Sequence, residues 1–574
     1  MSEQLSNNQV LLKECVKQEF EDNGGYATIN DYFEFFAASQ IYKTYNLSDD
    51  EILSGIVGGG NDGGCDSIHI LLNGNMVTQD QLDTISTPRG SVLELLISQA
   101  KFTKSFGEDT VMKWKTVSEN LMNLNNHLTN YRDRYNESVL DSFQLFRELV
   151  TKTIRSQVKI KIKYSYVTYA ADDLHPNVVQ QSEELKQIVN SLFPAAAINV
   201  EFIGADKLFS IYNRDCDIVE ELNLTDNALV GADKDYIGLV NLATFFDFIT
   251  DDNNKLIQSY FDSNVRDYQG HNIVNTAIAG TLSNREMQSD FWWLNNGVTI
   301  LASNIQLATP KKIVVENPEI VNGQQTSREI YNYFAENIAL KDDEKRNILV
   351  RLIKPDKEEV RDQIISATNN QTNIPKYSLR VTDPIHYQIE LFFKPRGLYY
   401  DRRKNFYKNQ KKKSTDIIGV SFLAQVLISI ILKKPDFARA RPSTLLDDDA
   451  TYNRLYDQNN SLGAYFNAAK IGQLARHIIK QDNSLSQVVK SDIQFAVIYM
   501  LARKLTNKTN ISFNDLSNID LQQITDELLN YCKQQVYNKY IELGGNSAVA
   551  KSSQLTDAID NIINNALNDQ LENI

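Results

Sequence analysis

The sequence predicts a multidomain protein of mixed α/β and α+β class whose C-terminal region is mainly α-helical. Its 574 residues exceed what one hydrophobic core can organise, because single cores stop growing at about 250–300 residues. Strand-like and helix-like stretches alternate up to about residue 415, and helical periodicity dominates from about Asp416 onward. We therefore expect four regions, at residues 1–152, 153–235, 236–415 and 416–574.

The bulk composition is that of a folded protein from a reducing compartment. Hydrophobic residues make up 42% of the chain and charged residues 23%, as is ordinary for globular proteins. The net charge of -14 argues against general attraction to nucleic acid, so any such partner must meet a local basic face. The cysteines lie far apart without a CxxC pair, which argues against a disulfide framework or zinc site; they are Cys15, Cys65, Cys216 and Cys532.

The protein is expected to be cytoplasmic and to have no membrane partner. The N-terminus is polar and carries no signal-peptide pattern. The longest apolar run, Val420–Leu432, is too short to cross a bilayer and has the length of a buried core helix.

The first two regions combine helices with strands. Residues 8–54 have helical periodicity, with one helical face formed by Phe33, Phe36, Ala37, Gln40 and Ile41. The strand-like runs Asp66–Leu72 and Val92–Lys101 follow, and then a long amphipathic helical stretch from about Glu108 to Arg155. The second region contains, in order, an alternating strand, a helix and another strand, at Val158–Tyr169, Glu183–Leu192 and Ile198–Gly204.

Chemically suggestive residues flank the first two strands. The turn GIVGGGNDGGCD ends on Asp66 at the entrance to one strand, and the other strand ends in SQAK. Because alternate strand side chains share a face, Gln99 and Lys101 point the same way and Glu94 points the other. An acid beside a polar-x-Lys pair is suited to holding a divalent cation and an attacking water.

The DGGCD turn followed by SQAK resembles the Mrr-like branch of the PD-(D/E)xK nuclease superfamily, in which a DGGxD turn precedes a strand ending in QxK. The resemblance implies a restriction-endonuclease-like α/β domain that hydrolyses phosphodiester bonds, with DNA as the expected substrate and Mg or Mn as cofactor. It makes Asp66 the main metal ligand, Lys101 the catalytic lysine and Gln99 the residue in the usual acid's place. Asp62 matches the first acid of the turn. The superfamily often supplies another acid from the preceding helix, for which the candidates are Glu34 and its rival Glu51.

Three neighbouring residues refine this expectation. With Gln99 in place of an acid the metal loses an anionic ligand, so weak metal affinity is expected and a vestigial site is the alternative. His69 and Cys65 face away from Asp66 by strand parity, which predicts packing roles for both.

The third region is rich in amide side chains, which offer both donors and acceptors to bases, riboses or backbone. Asn295, Asn296, Asn369 and Asn370 are candidates for such contacts, although amides also brace turns. The stretch EIVNGQQTSRE predicts a strand, a tight turn at Asn322, Gly323, Gln324 and Gln325, and a capping box from Thr326 to Glu329 that opens a helix. A helix N-terminus can bind phosphate, and Arg328 would add charge; plain strand-to-helix connection is the alternative.

Five segments resemble the AIPR family, named for abortive-infection phage resistance, over roughly residues 240–450. They are NVRDYQG (Asn264–Gly270), FWWLNNGVTILA (Phe291–Ala302), EIVNGQQTSREI (Glu319–Ile330), ISATNNQTNIPKYSLRVTDP (Ile365–Pro384) and GLYYDRRKNFY (Gly397–Tyr407). The resemblance implies a bacterial antiphage role with a nuclease as effector and a phage trigger of unknown identity. VNGQQTS also looks like the DGQQR turn of ParB-like NTPase domains, but Asn322 replaces the acid and Thr326 the arginine. Nucleotide binding therefore stays open, whereas hydrolysis of an NTP is in doubt.

A basic segment completes the candidate sites. Lys394–Lys413 holds nine Lys or Arg residues against one acid, with four interleaved aromatics. Such a segment can contact phosphates and stack bases, with Arg402, Arg403 and Lys404 as the leading contacts; a solvated loop is the alternative.

The sequence thus favours an antiphage, metal-dependent nuclease whose central region senses a nucleic acid, nucleotide or phage product. Its helical C-terminal region is expected to support the central region or to assemble homo-oligomers. The alternatives are a nucleic-acid or nucleotide sensor with a vestigial nuclease site, and an NTP-dependent restriction component.

Overall fold

The structure is a computed structural model. It describes residues 5–82, 85, 87, 91–213, 219–231, 235–251, 254–261, 273–284, 290–356, 360–361, 363–364, 381, 383–410 and 412–572. Over these residues the chain combines mixed α/β units with a helical C-terminal region, which confirms the predicted overall class.

The N-terminal unit, residues 5–213, contains a mixed sheet with the strand order β2-β1-β3-β4-β5. Its elements are α1 (Asn7–Asn23), α2 (Ile29–Ile41), α3 (Asp49–Ser54), β1 (Ser67–Leu72), β2 (Asn75–Met76), β3 (Val92–Lys101), α4 (Glu108–Val117), α5 (Glu137–Thr153), β4 (Lys159–Thr168), α6 (Pro176–Leu192), β5 (Ala197–Ile203) and α7 (Ala205–Asn213). β1 runs antiparallel to β3, while β3, β4 and β5 are mutually parallel. The expected boundary between residues 152 and 153 therefore divides strands that share one sheet.

Helices pack against both faces of this sheet. Both faces of β3 carry apolar side chains, which these helices bury. Leu93, Leu95 and Ile97 pack in the core under α4, α5 and α6. Leu96 and Ala100 pack in the core shared with α1, α2 and α7. This alternation is the period-two pattern of a strand that is buried on both faces.

Two helix predictions need correction. The stretch predicted as one helix from about Glu108 to Arg155 is α4 and α5, separated by a π-helical turn at Ser118–Met122 and an irregular segment. Helix α6 begins at Pro176, before the predicted Glu183, because a proline at the first helical position needs no hydrogen-bond partner.

The central unit, residues 219–356, contains two sheets with the orders β10-β11-β6 and β12-β9-β13-β8-β7. Its elements are β6 (Val219–Asn223), β7 (Leu229–Val230), β8 (Tyr236–Asn241), α8 (Leu242–Phe248), α9 (Ile273–Ser283), β9 (Val298–Leu301), β10 (Asn304–Thr309), β11 (Lys312–Glu316), β12 (Glu319–Asn322), α10 (Gln324–Glu336) and β13 (Asn347–Ile353). Because β12 runs antiparallel to β9, the last residue of β12 lies beside the first residues of β9, at the same end of the sheet.

The C-terminal unit, residues 383–572, is helical around a small parallel strand pair, β14 and β15. Its elements are α11 (Pro384–Phe393), β14 (Tyr399–Asp401), α12 (Phe406–Asn409), β15 (Ile417–Gly419), α13 (Val420–Ile431), α14 (Pro435–Ala440), α15 (Pro442–Leu446), α16 (Asp449–Leu455), α17 (Leu462–Lys480), α18 (Gln487–Thr506), α19 (Phe513–Ser517), α20 (Asp526–Glu542), α21 (Ser547–Ala550) and α22 (Gln554–Glu572). α13 is the predicted apolar run and lies in the core. None of the helices in the described part of the chain combines the length and apolar content that crossing a bilayer requires.

Polar contacts join the C-terminal unit to α3 and α5 of the N-terminal unit. Arg476 of α17 pairs with Asp50 at 2.8 Å. Lys551 pairs with Asp141 of α5 at 2.8 Å. The two units therefore pack directly against each other.

Candidate metal centre

Asp66 lies at the centre of the candidate metal site, directly before β1. Its backbone N–H donates to the Ser98 carbonyl at 2.8 Å, which places Asp66 opposite Gln99 just before β1 begins. The Gln99 amide Nε2 donates to one carboxylate oxygen of Asp66 at 2.7 Å, and the Ala100 backbone N–H donates to the other at 2.7 Å. Asp66 is buried, and burial raises the pKa of its carboxyl group.

Glu34 brings a second carboxyl group to this point from α2. The helix begins with a capping box in which Thr28 and Asp31 bond to each other's backbone N–H groups. The Glu34 carboxylate lies against Gly58, where an added Cβ atom would come within 2.9 Å of Glu34 Oε2. Gly58 in turn donates its N–H to the Asp66 carbonyl at 3.2 Å. Burial, reinforced by the negative charge of Asp66, raises the pKa of Glu34.

Lys101 shares the sheet face of Gln99, as the strand parity predicts. Its ammonium pairs with Asp109 of α4 at 2.9 Å and lies 5.8 Å from the centre of the Tyr166 ring. Burial alone would lower the pKa of Lys101, but the hydrogen bond to Asp109 and the surrounding negative charge produce a net increase. The lysine is therefore a cation at neutral pH.

Glu51, the rival to Glu34, has a different role. Its carboxylate accepts from the Ser48 backbone N–H at 2.7 Å, in a capping box that opens α3. The same carboxylate pairs with Lys404 at 2.7 Å. These contacts assign Glu51 to helix capping and to the interface between units, away from Asp66.

The glycine-rich turn is shaped by Asp62, whose carboxylate accepts from the Gly64 N–H at 2.7 Å. Gly64 is itself held by the buried Trp114, whose indole N–H donates to the Gly64 carbonyl at 2.6 Å. Gly63 and Gly64 both have positive φ, at 66° and 81°, a region that favours glycine. Asp62 thus fixes the approach to Asp66, and its charge adds to the increase in the pKa of Glu34.

The packing predictions for His69 and Cys65 are confirmed by burial. His69 is enclosed against α2 and α3, within 3.1 Å of the Ile52 carbonyl, and burial lowers its pKa to about 4. Cys65 is also buried in the core, and burial raises the pKa of its thiol. A neutral, buried thiol is not a nucleophile.

The donors present fit a divalent cation. Asp66, which is buried, and the half-buried Glu34 have raised pKa values and, among the described residues, no direct ion pair. A cation would supply the missing counter-charge. In the described residues no three His, Cys, Asp or Glu side chains form a metal-binding group. Mg²⁺, however, is commonly held by one or two carboxylates, with water and substrate phosphates completing its shell. Asp66 and Glu34 could supply the carboxylates, and Gln99 Oε1 an amide oxygen.

The predicted amide residues of the central unit converge on a second feature, which we call the amide loop cluster: residues 295–297 before β9 and residues 322–326 from the last residue of β12 onward. Thr326 Oγ1 donates to Asn295 Oδ1 at 3.4 Å. Gly323 packs so tightly that an added Cβ atom would lie 2.7 Å from the Gly297 carbonyl. The Asn296 carbonyl accepts from Arg351 at 3.2 Å. Packing of two glycine turns therefore joins the two amide-rich motifs.

The predicted capping box at Thr326 is wrong. Helix α10 begins at Gln324, and its N-cap is Gly323, at φ 91° and without a side-chain cap. Thr326 lies within the first turn. Arg328 lies in the second turn beside the Phe261 ring, 5.3 Å from its centre, and not at the helix start. Asn369, Asn370 and the segment Asn264–Gly270 lie outside the described residues.

The middle of the basic segment, from Arg402 to Lys408, pairs with acids of the protein itself. Arg402 is buried and pairs with Glu390 of α11 at 3.0 Å, and Arg403 pairs with the same carboxylate at 3.2 Å. Lys404 pairs with Glu51 across the unit interface. Contrary to expectation, Arg402 is therefore inaccessible to a phosphate, because its charge is used to hold the C-terminal unit together.

Sequence reasoning did not identify Asp109 as a partner of Lys101. The sequence signal for Asp109 was its position in the first turn of the helix that follows the SQAK strand. Acids are stabilising at a helix N-terminus. Their meeting depends on how α4 folds back over β3.

The fold and site define a multidomain α/β protein with an acidic candidate metal centre and an amide loop cluster. The AIPR protein family matches residues 261–549, just over half of the chain, and the chain belongs to the AIPR family. No curated protein and no solved structure matches it. Membership of the family indicates an antiphage, abortive-infection role.

Proposed function

We propose that this AIPR protein is a metal-dependent nuclease, and that cleavage of DNA is its contribution to antiphage defence. The observation that carries the proposal is the meeting of Asp66, Gln99 and Glu34 beside a sheet face that also presents Lys101. The DGGCD turn, the QxK strand end and the strand order β1-β3-β4-β5 support an Mrr-like, restriction-endonuclease-like unit over residues 5–213.

Each residue has a distinct part in this proposal. Asp66 and Glu34 would hold Mg²⁺ or Mn²⁺, and a bound ion would supply Lewis-acid stabilisation of charge on the scissile phosphate. Gln99 orients Asp66 through its 2.7 Å hydrogen bond. Lys101 carries a positive charge at neutral pH, which favours holding a phosphate oxygen or water over removing a proton.

The test uses purified wild-type protein with Asp66→Asn, Lys101→Ala and the control Glu51→Gln. Each is incubated with plasmid, single-stranded DNA and RNA, in Mg²⁺, Mn²⁺ or chelator, with and without nucleotides. We expect metal-dependent DNA degradation by the wild type and by Glu51→Gln, and none by the other two. Equal cutting by Asp66→Asn, or no cutting by the wild type in any condition, rejects the nuclease proposal.

The amide loop cluster favours a second function, a nucleotide or nucleic-acid sensor whose nuclease centre is vestigial. The α10 N-terminus has no side-chain cap, so its first N–H groups are suited to an anion. Gln324 Oε1 is buried without a hydrogen-bond partner in the described structure. Under this function the wild type binds nucleotide or DNA without cutting, and Gln324→Ala weakens that binding.

An NTP-dependent restriction component is the third possibility. It predicts nucleotide hydrolysis that is lost when Asn322 or Gln325 is replaced by alanine. The absence of hydrolysis of any NTP, with or without DNA, rules it out.

A further inference from the structure

A cavity of about 440 Å³ lies between the N-terminal and C-terminal units. Its walls come from the end of α1, from α2 and α3, and from β14, β15, α13 and α17. The volume is within the range of about 300–1,000 Å³ that small-molecule sites occupy. The lining contains none of the residues of the candidate metal centre or the amide loop cluster, so the cavity is a separate feature.

The apolar part of the lining includes three aromatic rings, those of Tyr26, Phe35 and Phe422. The Tyr26 ring lies 5.8 Å from that of Phe35. The Arg476 guanidinium already stacks on Phe422, 3.4 Å from the ring centre. Such a wall suits a flat ring, because aromatic faces gain from stacking in addition to burial.

Lys480, at the end of α17, supplies a positive charge, which the nearby Asp50 and Asp49 favour without pairing with it directly. Its ammonium lies 5.1 Å from the centre of the Tyr26 ring, and over the described residues it has no ion pair or side-chain hydrogen bond. Burial in the cavity, reinforced by Arg476, lowers the pKa of Lys480 to about 8. An anion beside the ammonium would relieve this unfavourable burial of charge.

Most other charged groups of the lining are already engaged, and Asp22 at the end of α1 adds a further carboxylate. Lys408 pairs with Asp49, and Arg476 pairs with Asp50. Asp401 accepts from the Asn405 backbone N–H at 2.7 Å, and burial raises its pKa to about 7. The cavity therefore combines one available cation, an aromatic wall and an acid that can accept a further hydrogen bond.

We propose that this cavity binds a small anionic molecule with a planar ring, the chemistry of a nucleoside monophosphate. The anionic group lies at Lys480, the ring lies between Tyr26 and the Arg476 guanidinium that stacks on Phe422, and a hydroxyl or amino group of the ligand donates to Asp401. The ligand contacts both units at once.

Binding at this cavity also reaches the candidate metal centre through α2. Phe35 lines the cavity, and its neighbour in sequence is Glu34. A ligand that fixes Phe35 therefore restricts the helix that carries Glu34. Any resulting change in cleavage would depend on the proposed nuclease function. Binding of the ligand in the cavity does not depend on that function.

Binding is measured by calorimetry on the full-length protein, with AMP, GMP, CMP and UMP as probes. Inorganic phosphate and the corresponding nucleosides test the anion and the ring separately. The variants are Lys480→Gln and Tyr26→Leu, with circular dichroism to verify folding. Lys504→Gln is the matched control, because Lys504 also lies over a tyrosine ring, 5.3 Å from the centre of Tyr531, but does not line the cavity.

We expect at least one monophosphate to bind, with affinity reduced about tenfold or more by Lys480→Gln, as for loss of a charge-assisted contact. Tyr26→Leu should weaken the monophosphate but not phosphate, and Lys504→Gln should change neither. The proposal is overturned if no monophosphate binds, if folded Lys480→Gln binds as tightly as the wild type, or if phosphate alone binds equally well. If Lys480→Gln does not fold, Tyr26→Leu decides: unchanged monophosphate affinity overturns the proposal.

Discussion

Replacing Glu34 by glutamine removes the acid whose ionisation is most disfavoured in the candidate metal centre. Burial and the charge of Asp66 raise the pKa of Glu34 from 4.5 to about 9. Between these values the unfolded chain carries an ionised Glu34 and the folded protein a protonated one. The folded state binds the extra proton, so its stability falls as pH rises from about 4.5 to about 9.

The size of this effect follows from about 1.4 kcal/mol for each pH unit. Between pH 5 and pH 8 it amounts to at most about 4 kcal/mol for Glu34. A glutamine has no such dependence, so Glu34→Gln should be the more stable protein at pH 8. For a cooperative unit of about 150–250 residues, each kcal/mol shifts Tm by about 2–4 °C, which gives a difference of up to about 16 °C.

The assay is thermal unfolding from pH 5 to pH 9, with and without Mg²⁺ or Mn²⁺. A ligand that binds only the folded state adds about 2.7 kcal/mol at one hundred times its Kd. The metal should therefore raise the Tm of the wild type most at high pH, where it replaces the proton on Glu34. It should stabilise Glu34→Gln much less.

The matched control is Glu51→Gln, which alters an acid outside the candidate centre. It should lower stability by less than about 1 kcal/mol through the loss of the ion pair with Lys404, because glutamine retains the capping box, and should leave the pH slope and metal response unchanged. An unchanged pH slope in Glu34→Gln would refute the buried-acid reasoning. Equal metal stabilisation of Glu34→Gln and wild type would show that Glu34 is not a ligand.

Three further predictions concern other parts of the molecule. Lys101→Ala should lose cleavage by about 100-fold or more but keep its metal-dependent Tm, measured on the same samples; loss of both would make the lysine structural. Gly323→Ala should lower the unfolding free energy by about 1–3 kcal/mol in denaturant titration, whereas Gly280→Ala, with nothing near the added Cβ, should not destabilise. Arg402→Ala should lower the free energy of unfolding by about 3–5 kcal/mol, because it breaks a buried ion pair. Lys404→Ala should lower it by less than about 1 kcal/mol. Equal losses of the two variants in urea unfolding would contradict this prediction.

Much of the N-terminal unit was predictable because strand parity is a local property. β1 begins within one residue of the predicted run, and β3 coincides with it. The shared face of Gln99 and Lys101 follows from the period of two residues, without knowledge of the fold. The continuous apolar sequence of α13 likewise predicted that this helix is buried.

The choice between Glu34 and Glu51 could not be made from the sequence. Both acids lie on helices before β1, at positions that satisfy a helical pattern. The packing of α2 against Gly58 brings Glu34 to Asp66, whereas the capping box of α3 and Lys404 hold Glu51 elsewhere.

The sequence also could not show which cations of the basic segment are available to bind a partner. Its nine cations are evident in the sequence, but their availability depends on acids that are distant in the chain, such as Glu51 and Asp49. An ion pair between residues hundreds of positions apart leaves no local signal.

The sequence alone determined the strands, the parity of their side chains and the glycine turns, because backbone sterics and alternation act over a few neighbouring residues. Tertiary structure decided which acid approaches Asp66, which cations are neutralised, and that a cavity separates α2 from α17. Those outcomes depend on burial and on contacts between distant segments, and both exist only once the units have packed together.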